Sequence, residues 1–135
     1  MTLVGLKLDH LVLTVAGIPS TVAFYERVLG MEPQTFGAGR VALRFGDQKI
    51  NLHQAGRERE PKATLPTPGS ADLCFLTDTP LTEIAAHLTH CAVEILEGPV
   101  ARTGATGPIL SLYFRDPDGN LIEIANRVLE AVTKP

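Results

Sequence analysis

Apolar residues along this chain follow two rhythms, one of strands and one of helices, and the order of the rhythms occurs twice. Residues 8–15 are dense in β-branched and aliphatic side chains and too few for a stable helix, which predicts a strand. Pro19 then stands where a first helical turn tolerates proline. Val22, Tyr25 and Val28/Leu29 recur at helical spacing, and Gly30 is a natural stop. Three strands follow at residues 32–36, 41–45 and 49–53, broken by Gly37-Ala38-Gly39 and Gly46-Asp47. Residues 56–69 are charged, then rich in proline at Pro61, Pro66 and Pro68, and read as a linker with little regular structure.

The second half repeats the order. Residues 71–77 predict a strand. Thr79 can cap and Pro80 can start a helix that carries Leu81, Ile84, Ala85 and Leu88 on one face. Strands then read at residues 93–96, 110–114 and 121–125, with residues 99–108 as a long glycine-rich loop of the kind that covers sites. The fold class is α+β, a duplicated strand–helix–three-strand unit able to wrap a concave sheet around a cavity. Module one spans about residues 6–58, the linker about 59–69 and module two about 70–130. In this pairing His10 matches Asp72 in the first strand of each half. Asn51 matches Glu123 in the last, each directly after an isoleucine.

Composition narrows the class. With 135 residues, 44% hydrophobic and 20% charged, the chain is one ordinary globular domain. A net charge of −3 gives no reason to expect nucleic acid as a partner. No apolar run spans a bilayer, and the first residues lack the pattern of a secretory signal. Cys74 and Cys91 have no metal-finger spacing, so reduced thiols in a cytoplasmic protein are the expectation.

The candidate chemistry starts at Asp116-Pro117-Asp118-Gly119-Asn120, dense turn chemistry ahead of an apolar strand with one charge in it, Glu123. A carboxylate among Leu121 and Ala125 needs a cation, a metal ion or a substrate to offset its burial. Arg115 or Arg127 can supply that cation. Asp72 can likewise pair with Arg102 or Arg115, and His10 alone can be a buried histidine bonded to a carbonyl. Ser111 and Tyr113 share a strand face by the period of two.

Four segments together carry a family resemblance: Leu8-Asp9-His10-Leu11-Val12-Leu13-Thr14-Val15, Phe24-Tyr25-Glu26-Arg27-Val28-Leu29-Gly30-Met31, Phe45-Gly46-Asp47-Gln48-Lys49-Ile50-Asn51-Leu52-His53, and Tyr113 through Glu123. In this order the chain resembles the vicinal oxygen chelate superfamily, which holds glyoxalase I, fosfomycin-resistance and bleomycin-binding proteins and extradiol dioxygenases. Gly98-Pro99-Val100-Ala101-Arg102-Thr103-Gly104-Ala105 further resembles a glyoxalase-domain subgroup that includes bacterial virulence-associated proteins.

The resemblance implies two βαβββ modules in a half-open barrel around a divalent metal (Mn, Mg, Ni, Fe or Zn), and a homodimer that acts on a small molecule. It places metal ligands at His10, Asn51, Asp72 and Glu123. Histidine is commoner than Asp72 at its position, and a carboxylate or glutamine commoner than Asn51. His53, two residues on, faces the same side as Asn51 and can replace it; a neutral amide is the weaker ligand. Glu123 or Asp72 would shuttle a proton, while Ser111, Tyr113, Arg102 and Arg115 would meet the substrate. The implied reaction is of isomerase or lyase type through an enediolate-like species. The alternatives are an extradiol-type dioxygenase and a non-catalytic binding or antibiotic-resistance protein.

Overall fold

The computed structural model describes residues 1–129. Its elements run β1 (His10–Val15), α1 (Ile18–Leu29), β2 (Glu32–Phe36), β3 (Arg40–Phe45), β4 (Gln48–Gln54), β5 (Asp72–Leu76), α2 (Leu81–His90), β6 (Glu97–Gly104), β7 (Gly107–Arg115) and β8 (Leu121–Arg127). The predicted βαβββ order is therefore present twice. The chain divides into two compact units, Met1–Ala71 with Asp116–Gly119, and Asp72–Arg115 with the chain from Asn120 on. The end of module two, placed by sequence at residue 130, lies outside the described residues.

In the first unit the strand order is β1-β4-β3-β2, with β1 parallel to β4 and the other pairs antiparallel. Proline in the first turn of α1 costs no hydrogen bond, since those N–H groups have no helical acceptor. Gly30 ends the helix in the left-handed region, where its N–H bonds the Glu26 carbonyl and the Met31 N–H bonds that of Tyr25. Tyr25 and Val28 are buried, as are Leu13, Val15, Leu43, Ile50 and Leu52 from the sheet, which together form the apolar side of the unit. The Tyr25 hydroxyl donates to Asp116 at 2.6 Å, and Asp118 accepts the Ala16 N–H at 3.2 Å. These bonds make the Asp116–Gly119 turn part of the first unit although it connects β7 to β8.

The second unit repeats the order as β5-β8-β7-β6, with β5 parallel to β8. Leu81, Ile84 and Leu88 of α2 are buried, as are Leu112, Phe114, Ile122 and Ile124. Two expectations fail here. Thr79 does not cap α2. The Asn126 carboxamide does so from β8, accepting the Leu81 N–H at 3.0 Å and donating to the carbonyls of Thr77 and Thr79. Residues 93–96 are not a strand, and residues 99–108 are not a loop but most of a β-hairpin, β6 and β7, with Arg102 in β6. Gly98 and Pro99 hid the strand. They sit where the register shifts between Glu97 and Val100 on an edge strand, which tolerates both residues. Gly98 is required there. Its φ is 117°, and a Cβ would lie 2.3 Å from the Ser111 carbonyl oxygen.

Candidate functional site

Strand register sorts the side chains of the first sheet into rows on the face opposite the apolar one. One row reads Glu32, Arg44, Lys49, His10 across the four strands. The next reads Gln34, Ala42, Asn51, Val12, and beyond it stand Phe36 with Arg40 and His53 with Thr14. The candidate ligands His10, Asn51 and His53 thus share a face. His10 and Asn51 are diagonal neighbours, whereas His53 lies four residues of register from His10, about 13 Å along the strands.

The His10 Nδ1 lies 2.8 Å from the exposed Asp9 carboxylate, whose own pKa the contact lowers. In the neutral imidazole this places the proton on Nδ1 and leaves the Nε2 lone pair free, the arrangement of a metal-binding histidine oriented by a carboxylate. Asn51 is 4% exposed and its Oδ1 has no hydrogen-bond partner; His53 is 7% exposed and its Nε2 has none. Burial, then the charge of Arg40, pushes the His53 pKa below the usual histidine value. Two orphaned polar atoms on alternate residues of one strand cost roughly 1–3 kcal/mol each unless a ligand meets them.

The second sheet has the same plan and a different chemistry. Its rows read Asp72, Leu121, Arg115, then Cys74, Glu123, Tyr113, Glu97, then Leu76, Ala125, Ser111, Val100. In both sheets the last-strand candidate stands one row on from the first-strand candidate, Asn51 from His10 and Glu123 from Asp72. Glu123 accepts the Ser111 hydroxyl at 2.6 Å, and it also bonds Cys74 and Tyr113. Arg102 donates from Nε to the Tyr113 hydroxyl at 3.0 Å and reaches Glu97 at 3.3 Å. Desolvation, then the Glu123 charge, pushes the Cys74 thiol up to about 11, so it stays a protonated donor at neutral pH.

Ser111 donates to Glu123, and Arg127, one of the two arginines expected to hold that carboxylate, bonds Thr106 instead. Asp72 is exposed, without an ion pair to Arg102 or Arg115 among the described residues. Cys74 was missed by the sequence reading, although the period of two from Asp72 places it on the same face. Among the described residues, no three His, Cys, Asp or Glu side chains form a group that could hold a metal ion. Taken unit by unit, the donor chemistry is of a kind that suits a divalent ion: in the first, His10 has its second nitrogen fixed and Asn51 presents an orphaned oxygen, and in the second, Glu123 is oriented by a buried hydroxyl.

The chain belongs to the Glyoxalase/Bleomycin resistance protein/Dioxygenase superfamily, whose family model matches residues 7–124. Within it, the chain is 59% identical over 122 residues to Virulence protein STM3117 of Salmonella typhimurium, covering 90% of this chain and 85% of that protein. It is 56% identical over 120 residues to the glyoxalase domain-containing protein RDO1 of Mycosarcoma maydis, covering 89% and 68%. An integron cassette protein from the mobile metagenome of V. Cholerae superposes with a TM-score of 0.92 at 60% identity, covering 95% of this chain and all of that one. No described helix is long and apolar enough to cross a membrane.

Proposed function

We propose that this protein is a divalent-metal-dependent enzyme of isomerase or lyase type acting on a small molecule. The observation that carries the reading is the His10 imidazole, held at Nδ1 by Asp9 with Nε2 presented for a metal. His10, Asn51, Asp72 and Glu123 are proposed to serve the ion, with His53 as the substitute for Asn51. A bound divalent ion would supply Lewis-acid stabilisation of negative charge on two neighbouring substrate oxygens, worth several kcal/mol.

The remaining roles fall to the chain's own groups. Glu123 is oriented by Ser111 and suits a ligand; Asp72, exposed and without an ion pair among the described residues, suits proton transfer at the adjacent carbon. Tyr113, fixed by Arg102, would orient the substrate, with Arg115 at the edge of the same face. A second reading is sequestration of a small molecule without catalysis. It is favoured by Asn51, a weak metal ligand whose row neighbours Ala42 and Val12 are apolar.

Metal analysis of purified, untagged protein separates these readings. Stoichiometric metal that disappears in both His10→Ala and Glu123→Ala supports the enzyme. A metal-free protein that takes up no added divalent ion overturns it and leaves sequestration. Iron accompanied by catechol cleavage would make the protein a dioxygenase instead.

A further inference from the structure

The first sheet holds a second feature that the metal reading leaves unused. A cavity of about 250 Å³ opens at the β3–β4 turn, lined by Asp9, Gln34, Arg44, Asp47, Gln48 and Lys49. Its two carboxylates have partners from outside the lining: Lys7 pairs with Asp47 at 3.2 Å, and the His10 ring lies 2.8 Å from Asp9 in a hydrogen bond that leaves the carboxylate charged. Among the described residues, its two cations have no ion pair at that range. Arg44 forms no ion pair or hydrogen bond among the described residues, and Lys49 only stacks its ammonium 3.7 Å from the Phe36 ring while its charge reaches Asp9. Glu32 flanks Arg44 in the row without forming an ion pair to it.

Arg44 and Lys49 are also direct cross-strand partners. Like charges in that position repel, which works against the attraction of Glu32 for Arg44 on the other side of the row. An anion between them turns the repulsion into two attractions, and Arg44 can bind it through two parallel N–H groups. The Gln34 carboxamide adds a neutral donor, whereas Gln48 already donates to the Leu8 carbonyl at 2.9 Å. The volume falls below that of pockets for drug-sized molecules, which limits the ligand to a few heavy atoms around its charged group.

We propose that Arg44 and Lys49 form the binding site for a small oxyanion, a phosphate or a compact dicarboxylate. The site needs no metal and stands apart from the enzyme reading. Arg44 and Lys49 lie in the row that ends in His10, while His10 itself is outside the cavity lining.

Titration of the ¹⁵N-labelled full-length protein with inorganic phosphate and, separately, malonate tests this, with chloride holding the ionic strength constant. Saturable amide shifts are expected at Gln34, Arg44, Gln48 and Lys49 for at least one of the two anions, and the tighter one names the class. Arg44→Gln is expected to weaken binding at least tenfold. Lys49→Met, which keeps an apolar stem against Phe36, is expected to do the same, while Arg57→Gln leaves binding unchanged. Shifts that never saturate, that spread over all basic residues, or that survive both Arg44→Gln and Lys49→Met overturn the proposal.

Discussion

The two units share a topology and part ways in how their polar faces are satisfied. The face of the second is closed on itself: Ser111, Cys74 and Tyr113 bond Glu123, and Arg102 joins Tyr113 to Glu97. The face of the first is left open. Asn51 and His53 bury atoms without partners, and Arg44 and Lys49 stand side by side with the same charge. Buried polar groups are normally paired, and those that are not mark places where something outside the chain completes them. The difference is one of local satisfaction: the second face holds a carboxylate in a hydrogen-bonded cluster, and the first leaves polar atoms unmet.

The contrast can be broken or sharpened by substitution. The largest effect is expected where the Asp116–Gly119 turn joins the first unit. Tyr25→Phe removes a hydroxyl bonded to the buried Asp116 and should cost about 2–3 kcal/mol of unfolding free energy in denaturant titration. Burial, then Asp116, raises the Tyr25 pKa above its ordinary value of 10. The folded state therefore holds the proton that the unfolded state releases. That stabilisation is fully present below about pH 10 and is lost as the pH rises past it, and the variant should lack this alkaline slope.

Next comes Ser111→Ala in the closed face. It strips Glu123 of a fixed donor and should lower stability by about 1.5 kcal/mol, with a roughly 10- to 100-fold loss of metal affinity by calorimetry. The smallest change should have the opposite sign. Asn51→Leu replaces an orphaned amide, flanked in its row by Ala42 and Val12, with an apolar side chain. It should raise the unfolding free energy by about 1 kcal/mol while impairing ligand binding, a trade of stability for function. A stabilised Ser111→Ala together with a destabilised Asn51→Leu would reverse the contrast.

Much of the fold was legible because local and global signals agree. Pro19 and Gly30 bracket α1, and the β-branched run ending at Val15 carries β1. The hairpin of β6 and β7 was not legible, since Gly98 and Pro99 disrupt the strand pattern and only edge pairing to β7 makes them tolerable. The cap on α2 was also hidden. Asn126 lies 45 residues from the N–H it accepts, a contact no local pattern contains. At the site, period-two alternation brought out Ser111 and Tyr113, while the Arg44–Lys49 pair needed the register of the Gly46-Asp47 turn, which places Phe45 opposite Gln48. The orphaned atoms of Asn51 and His53 were invisible in the sequence, because an unmet hydrogen bond is a property of packing.

The most direct test is titration of chelator-treated protein with Mn(II), followed by the loss of the free-ion electron paramagnetic resonance signal. One site per chain is expected in the natural sequence and in Arg44→Gln, and none in His10→Gln or Glu123→Gln. Absence of any saturable site, or a site that survives both His10→Gln and Glu123→Gln, would contradict the account.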